Sequence, residues 1–161
     1  MHRVDRSLLL PYSSAQMFAL VRDVAAYPQF LPWCPATQVR AVAAPDAPPG
    51  LDVIEARVEI SYLGVRSHFT TRNTNQAPER IELQLVDGPF RRLHGQWHFR
   101  ALDEQACKVS LVLEYNFAGG LLGRAIAPVF EMVANSLIDA FAARARSLYG
   151  EGAMGADLAA G

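Results

Sequence analysis

The chain has 161 residues, 51% of them hydrophobic and 19% charged, and its 15 Lys and Arg are nearly balanced by 16 Asp and Glu. That balance leaves no global field to draw in nucleic acid or an acidic partner, and the length fits one domain with a sizeable core. The longest unbroken hydrophobic run, Met17 to Val21, is five residues, against about 20 for a membrane-spanning helix, so no spanning segment is expected.

The opening Met1-His2-Arg3-Val4-Asp5 carries no apolar signal core, which favours a cytoplasmic location. Two distant cysteines, Cys34 and Cys107, form neither a disulfide framework nor a metal knuckle and read as buried small hydrophobes in a reducing compartment. Alanine supplies 25 of the hydrophobic residues and says little, so the 8 Phe, 5 Tyr and 2 Trp pose the question of where the remaining apolar surface goes.

Residues 3–10 read as a strand ending at Pro11. Ser13 with Gln16 forms a capping box, and Tyr12 with Met17 a hydrophobic staple, for a helix from about Ser14 to Ala25 that buries Met17, Phe18, Val21 and Val24. The stretch Tyr27 to Pro35 holds three prolines and is barred from being a long helix. It sets Tyr27, Phe30, Leu31 and Trp33 on irregular backbone, where polar residues are usual. Two kinds of reading fit: a hydrophobic cap over the open end of a sheet, or a functional segment, either a gate over an apolar ligand slot or a membrane-touching edge.

From Thr37 to Phe117 the apolar period is two. Ile54, Ala56, Val58, Ile60 and Tyr62 alternate with polar residues, as do Ile81, Leu83 and Leu85, then Leu93, Gly95, Trp97 and Phe99, then Val109, Leu111, Leu113, Tyr115 and Phe117. Turn signals at Pro45 to Gly50, Leu63-Gly64, Asn73 to Pro78, Asp87-Gly88-Pro89 and Asp103 to Gln105 divide these strands, and such short connections require antiparallel pairing. After Gly119-Gly120, Leu122, Ile126, Val129, Phe130, Val133, Leu137, Phe141, Ala145 and Leu148 recur at three and four. They mark one helix of up to about 29 residues, roughly 43 Å long, which Pro128 kinks or begins and Gly150 caps. Glu151 to Gly161 reads as a frayed tail, leaving residues 1–150 as a single domain. A sheet with one apolar face beside a helix with one apolar stripe gives an α+β fold in which the sheet curls around the helix and leaves a slot.

Residues suited to catalysis are sparse. His94 and His98 lie four residues apart on a strand, about 13 Å, too far to share one metal. Glu55, Arg57 and Glu59, with Arg66 and Arg72, read as ion pairs on a wet face. No nucleophile elbow, phosphate loop or dinucleotide fingerprint occurs, so neither a catalytic residue nor a catalytic cofactor is expected. Arg91-Arg92 is the only adjacent basic pair, with Arg100 and Lys108 placed near it, and is the one candidate for contact with RNA.

Two long motifs, Tyr27-Pro28-Gln29-Phe30-Leu31-Pro32-Trp33-Cys34 and Asp87-Gly88-Pro89-Phe90-Arg91-Arg92-Leu93-His94-Gly95-Gln96-Trp97-His98-Phe99, resemble the family of the bacterial ribosome association toxin RatA and the mitochondrial coenzyme Q-binding proteins. That family belongs to the START-like, polyketide cyclase/lipid transport superfamily. The resemblance runs from about Arg3 to Gly150. It implies a helix-grip fold with a hydrophobic tunnel and non-enzymatic binding of a ubiquinone-like polyprenyl lipid in support of respiration. It places the tunnel mouth at Phe30, Leu31, Trp33 and Phe90. The walls would be Tyr62, Phe69, Leu83, Leu93, Trp97, Phe99, Leu113, Tyr115, Phe130, Val133 and Leu137. Alternatives are inhibition of ribosomal subunit association, through the large subunit as partner, and a polyketide cyclase or aromatase activity. A hydrophobic small molecule and transient contact with the inner membrane surface are the other expected partners; DNA is not.

Overall fold

The computed structural model of the chain describes residues 2–151. The expected frayed tail therefore lies, apart from Glu151, outside the described residues. Seven strands form one antiparallel sheet: β1 (His2–Leu10), β2 (Thr37–Val42), β3 (Leu51–Tyr62), β4 (Val65–Gln76), β5 (Arg80–Asp87), β6 (Phe90–Asp103) and β7 (Ala106–Phe117), in the order β1-β7-β6-β5-β4-β3-β2. Two α-helices complete the fold, α1 (Ser14–Arg22) and α2 (Leu121–Tyr149). This is the helix-grip arrangement expected above.

The strands follow from their alternation. On β7, Cys107, Val109, Leu111, Leu113 and Tyr115 are buried while the residues between them are half-buried, which is the pleat of a sheet with one face on the core. The β3–β4 hairpin turns at Leu63 (φ 50°) and Gly64 (φ 80°), two successive positive angles of the kind that match the twist of the flanking strands.

The α1 start is as the sequence predicts. The Ser13 hydroxyl accepts from the Gln16 N–H at 3.0 Å, and the Gln16 carboxamide oxygen accepts from the Ser13 N–H at 2.9 Å. The helix ends three residues earlier than expected, because Asp23 leaves helical backbone at ψ 72° and a 3-10 turn, Val24–Gln29, follows around Pro28. That turn lies against β2, where the Thr37 hydroxyl donates to the Val24 carbonyl.

Helix α2 runs unbroken through Pro128. An internal proline costs about 3 kcal/mol, but each fully buried large side chain returns on the order of 1.5–3 kcal/mol. Ile126, Val129, Phe130, Val133, Ile138 and Phe141 are all buried, so packing wins. The two ends of the expected stripe are corrected: Leu122 and Leu148, on the terminal turns of the helix, are exposed. By length and apolar composition α2 could cross a membrane, which a search for unbroken runs does not detect. Here its apolar stripe faces the sheet.

Both cysteines are buried and free. Burial first of all pushes each thiol up to about 11, leaving little thiolate at neutral pH. For Cys34 the nearby Glu59 adds to the rise and the hydrogen bond to Ala36 offsets part of it.

Candidate functional site

The concave face of the sheet and α2 enclose a cavity of about 70 Å³. From the connection before β2 come Val24, Tyr27 and Trp33, and from β3 Ala56 and Val58. Strand β4 gives Phe69, Thr71 and Asn73, while β5 to β7 give Leu83, Leu93, Trp97 and Leu113. Helix α2 closes it with Phe130, Val133, Leu137 and Phe141. None of these side chains is charged. A wider concavity on the opposite, convex face is open to solvent and polar, with Arg3, Glu82, His94 and Glu114 around it and an Arg3–Glu114 ion pair at 2.6 Å.

Of the residues expected to form walls, Phe69, Leu83, Leu93, Trp97, Leu113, Phe130, Val133 and Leu137 do surround this space. Tyr62, Phe99 and Tyr115 do not. Tyr62 sits at the hairpin end of β3 and is 38% exposed. Phe99 is buried beyond Trp97, edge-on to Phe18 of α1 at 5.6 Å. Tyr115 turns into an aromatic cluster with Phe90 and Phe130. Tyr62 and Phe99 lie toward the ends of long strands, past a cavity confined to the middle of the sheet, whereas Tyr115 is level with the lining Leu93 and is taken up by the aromatic cluster instead.

The four residues expected at one mouth are likewise separated. Trp33 lines the cavity, and Leu31 is 1% exposed and part of the core. Phe30 packs edge-on against Tyr27 and Phe141 at 6.1 and 5.4 Å. Phe90 packs on Phe130 at 4.8 Å and Phe69 at 6.3 Å. Phe130 and Phe141 stand about 16 Å apart along α2 at 1.5 Å per residue, so Phe30 and Phe90 belong to opposite ends of the slot. Phe90 stands where the sheet splits: β5 and β6 pair from Arg80 to Gln84, beyond which no β5–β6 pairing continues.

Sequence reasoning also missed lining residues. Val24, Ala56, Val58 and Phe141 were legible as core positions, and Tyr27 as part of the aromatic segment. Thr71 and Asn73 were not, since Asn73 to Pro78 reads as a turn. Their signal was the continuation of the Phe69 alternation, because β4 runs on to Gln76. The Tyr27 hydroxyl donates to the Val21 carbonyl. Burial, reinforced by Asp23 and Cys34, raises its pKa far above the ordinary tyrosine value, so it stays protonated.

On the outer face, Glu55 bridges Arg72 at 2.8 Å, as expected, and also Arg40 at 2.6 Å, outside the expected set; Arg57 lies 3.9 Å from Glu59, and Arg66 forms no ion pair among the described residues. Arg91 and Arg92 are exposed and form no ion pair among the described residues. Arg100 and Lys108, expected beside them, pair with each other across β6 and β7 instead. They lie eight residues from Arg92, about 26 Å along the strand.

Residues 10–142 match the family described as polyketide cyclase/dehydrase and lipid transport. The chain is 42% identical over 147 residues to the ribosome association toxin RatA of Pseudomonas aeruginosa, covering 91% of this chain and 97% of that protein. It is 26% identical over 144 residues to the mitochondrial coenzyme Q-binding protein of Schizosaccharomyces pombe, covering 87% of this chain and 84% of that one. The solution structure of an 18 kDa protein from Caulobacter crescentus aligns with a TM-score of 0.69 at 34% identity, over 93% of this chain and 99% of that chain. The chain thus belongs to the START-like polyketide cyclase/dehydrase and lipid transport family, on the branch that holds RatA and the coenzyme Q-binding proteins.

Proposed function

We propose that the chain is a non-enzymatic carrier of a neutral hydrophobic ligand, a ubiquinone-like polyprenyl lipid. The observation that carries this reading is an interior cavity between sheet and helix whose lining is uncharged throughout. Apolar burial at about 25 cal/mol per Å² gives an isoprenoid tail ample affinity without an ionic anchor. The lining offers no carboxylate, imidazole or amine for proton transfer, and its one phenol is held by a backbone carbonyl, which favours binding over cyclase chemistry.

At about 70 Å³ the cavity is below the roughly 300–1,000 Å³ of ligand sites. The conformation described is thus a closed one, and a quinone ring enters only when lining side chains move outward. The aromatic packing at each end, Phe69-Phe90-Phe130 and Tyr27-Phe30-Phe141, marks where such movement has to occur.

Two measurements test the reading: mass spectrometry of an organic extract of the purified protein, and Trp33 and Trp97 fluorescence on adding a short-tail ubiquinone. Co-purifying quinone or saturable quenching is expected. No bound lipid together with no quenching would sink it.

A second reading, inhibition of ribosomal subunit association, is favoured by the 42% identity to RatA and by the exposed Arg91-Arg92 pair. Cosedimentation with large subunits that is lost in Arg91→Glu/Arg92→Glu but kept in Trp97→Ala would assign it to the surface rather than the cavity. Cosedimentation unaffected by the charge reversal would remove the arginines from that role.

A further inference from the structure

Across the middle of the sheet runs one row of paired residues: Ile54, Asn73, Leu83, Gly95, Leu113 and Val4. Five of the six are aliphatic or glycine, and Asn73 alone is polar. Buried carboxamides are expected to be hydrogen-bonded, yet the cross-strand neighbours of Asn73, Ile54 and Leu83, offer no side-chain partner. Asn73 is 7% exposed. Its side-chain oxygen accepts from the Thr71 hydroxyl at 2.6 Å. Its side-chain nitrogen makes no hydrogen bond with a described side chain, and Asn73 faces the cavity.

The next inward residue on β4, Asn75, shows the contrast. Its amide nitrogen donates to Asp52 at 3.1 Å, and Asp52 in turn pairs with Arg22. Asn75 is fully buried, with its N–H spent on a carboxylate and its own Oδ1 left without a partner, whereas Asn73 has the reverse arrangement, its oxygen satisfied and its N–H free.

We propose that the Thr71–Asn73 pair is the polar recognition element of the cavity, in which the Asn73 carboxamide donates to the carbonyl oxygen of a neutral lipid. This rests on the carrier reading above and narrows it to a ligand class. In this arrangement the Thr71 hydroxyl occupies the amide oxygen, so the N–H groups are the ones left free to donate. A site built to donate rejects an analogue without the acceptor, because its own polar group is then left unpaired. With no cation in the lining, an anionic head would be buried without a counter-charge. Fatty acids and phospholipids are therefore disfavoured, and a quinone, neutral and bearing carbonyl acceptors, matches the chemistry of the lining. The indole N–H groups of Trp33 and Trp97 are the other donors in the wall, and the test separates them from Asn73.

Displacement of Nile red from the full chain by three ligands of matched tail provides that test: a decyl-tailed ubiquinone analogue, decylbenzene and laurate. The quinone is expected to displace the dye at about tenfold or more lower concentration than either of the others. Asn73→Leu, and Thr71→Val/Asn73→Leu in which no hydroxyl is stranded, are expected to erase the preference of the cavity for the quinone over decylbenzene, folding being checked by thermal melting. Equal displacement by quinone and decylbenzene in the natural chain overturns the proposal and leaves the carrier reading standing. So does displacement by laurate as strong as that by quinone. A quinone preference that survives in either folded variant assigns recognition elsewhere and also overturns it. If no ligand displaces the dye, both readings fail.

Discussion

The Arg144 guanidinium lies 5.0 Å from the centroid of the Phe30 ring, and one of its terminal nitrogens donates to the Gln29 carboxamide at 2.9 Å. Helix α2 thereby holds the 3-10 turn whose Tyr27 lines the cavity. The grip is incomplete, because Arg144 Nε is buried without a partner, which offsets part of the gain.

Arg144→Ala is expected to cost about 1–2 kcal/mol, from a cation–π contact of about 0.5–2 kcal/mol plus a charged hydrogen bond, less the relief of the unpaired nitrogen. Thermal denaturation would read this as a melting point lower by about 2–8 °C. The loosening should be local: the Phe30 and Leu31 amides, both bonded to the Tyr27 carbonyl, should exchange hydrogen faster while the β6–β7 amides do not. Uniform acceleration would show that Arg144 supports the whole fold rather than this turn.

Gly95 sits between Leu83 and Leu113 in the row across the sheet, and a Cβ there would stand 2.3 Å from the Val112 carbonyl oxygen and 2.6 Å from Leu113 Cδ2. The nearer of these is backbone and cannot swing aside. Gly95→Ala is therefore expected to destabilise by about 1–3 kcal/mol or more, measured as a lower denaturation midpoint at unchanged slope. A neutral or stabilising result would mean that β6 is free to shift against β7.

The architecture was legible because periodicity and packing agreed. Alternation on β3, β6 and β7 and the three-four stripe on α2 each answer to one buried face, so pattern and structure coincide. The short connections dictated antiparallel order. The limits of the site were less legible, since alternation says which face a residue occupies and not how far along the strand the cavity reaches. Tyr62, Phe99 and Tyr115 face the same way as Trp97 and Leu113 and yet lie outside it. Asn73 and Thr71 were lost for another reason: asparagine-rich composition resembles a turn, and only pairing of Asn73 with Ile54 and Leu83, and of Thr71 with Ala56 and Leu85, holds those residues in a strand.

The outer face carries a prediction in pH. Hydrogen bonds from Arg72 and then Arg40 hold the Glu55 carboxyl below its ordinary value of 4.5. A carboxylate with a depressed pKa in the folded state contributes stability above its unfolded pKa and loses it as pH falls through the folded one. The natural chain should thus melt above Glu55→Gln at neutral pH. The gap should begin to close near the unfolded value and vanish at lower pH. Melting curves of both proteins across the acid range would show this, and a gap that stayed constant or widened on acidification would contradict the assigned role of the two arginines.

The most direct separation of cavity from fold comes from Val133, buried on α2 and facing the void. Enlarging a core side chain usually costs about 1–3 kcal/mol through overpacking, but here empty space of about 70 Å³ adjoins the position. Filling a void also regains contacts that its lining lacks. Val133→Phe is accordingly expected to change stability by less than about 1 kcal/mol in either direction. At the same time the ring would occupy the room into which a ligand must expand, and quinone-dependent quenching of Trp33 and Trp97 should weaken by about tenfold or more, an energy of about 1.4 kcal/mol. The two measurements are read together. A folded Val133→Phe protein that still binds the short-tail ubiquinone at the affinity of the natural chain would place the ligand outside this cavity, whereas loss of both stability and binding would show that the void is too tightly walled to take the ring.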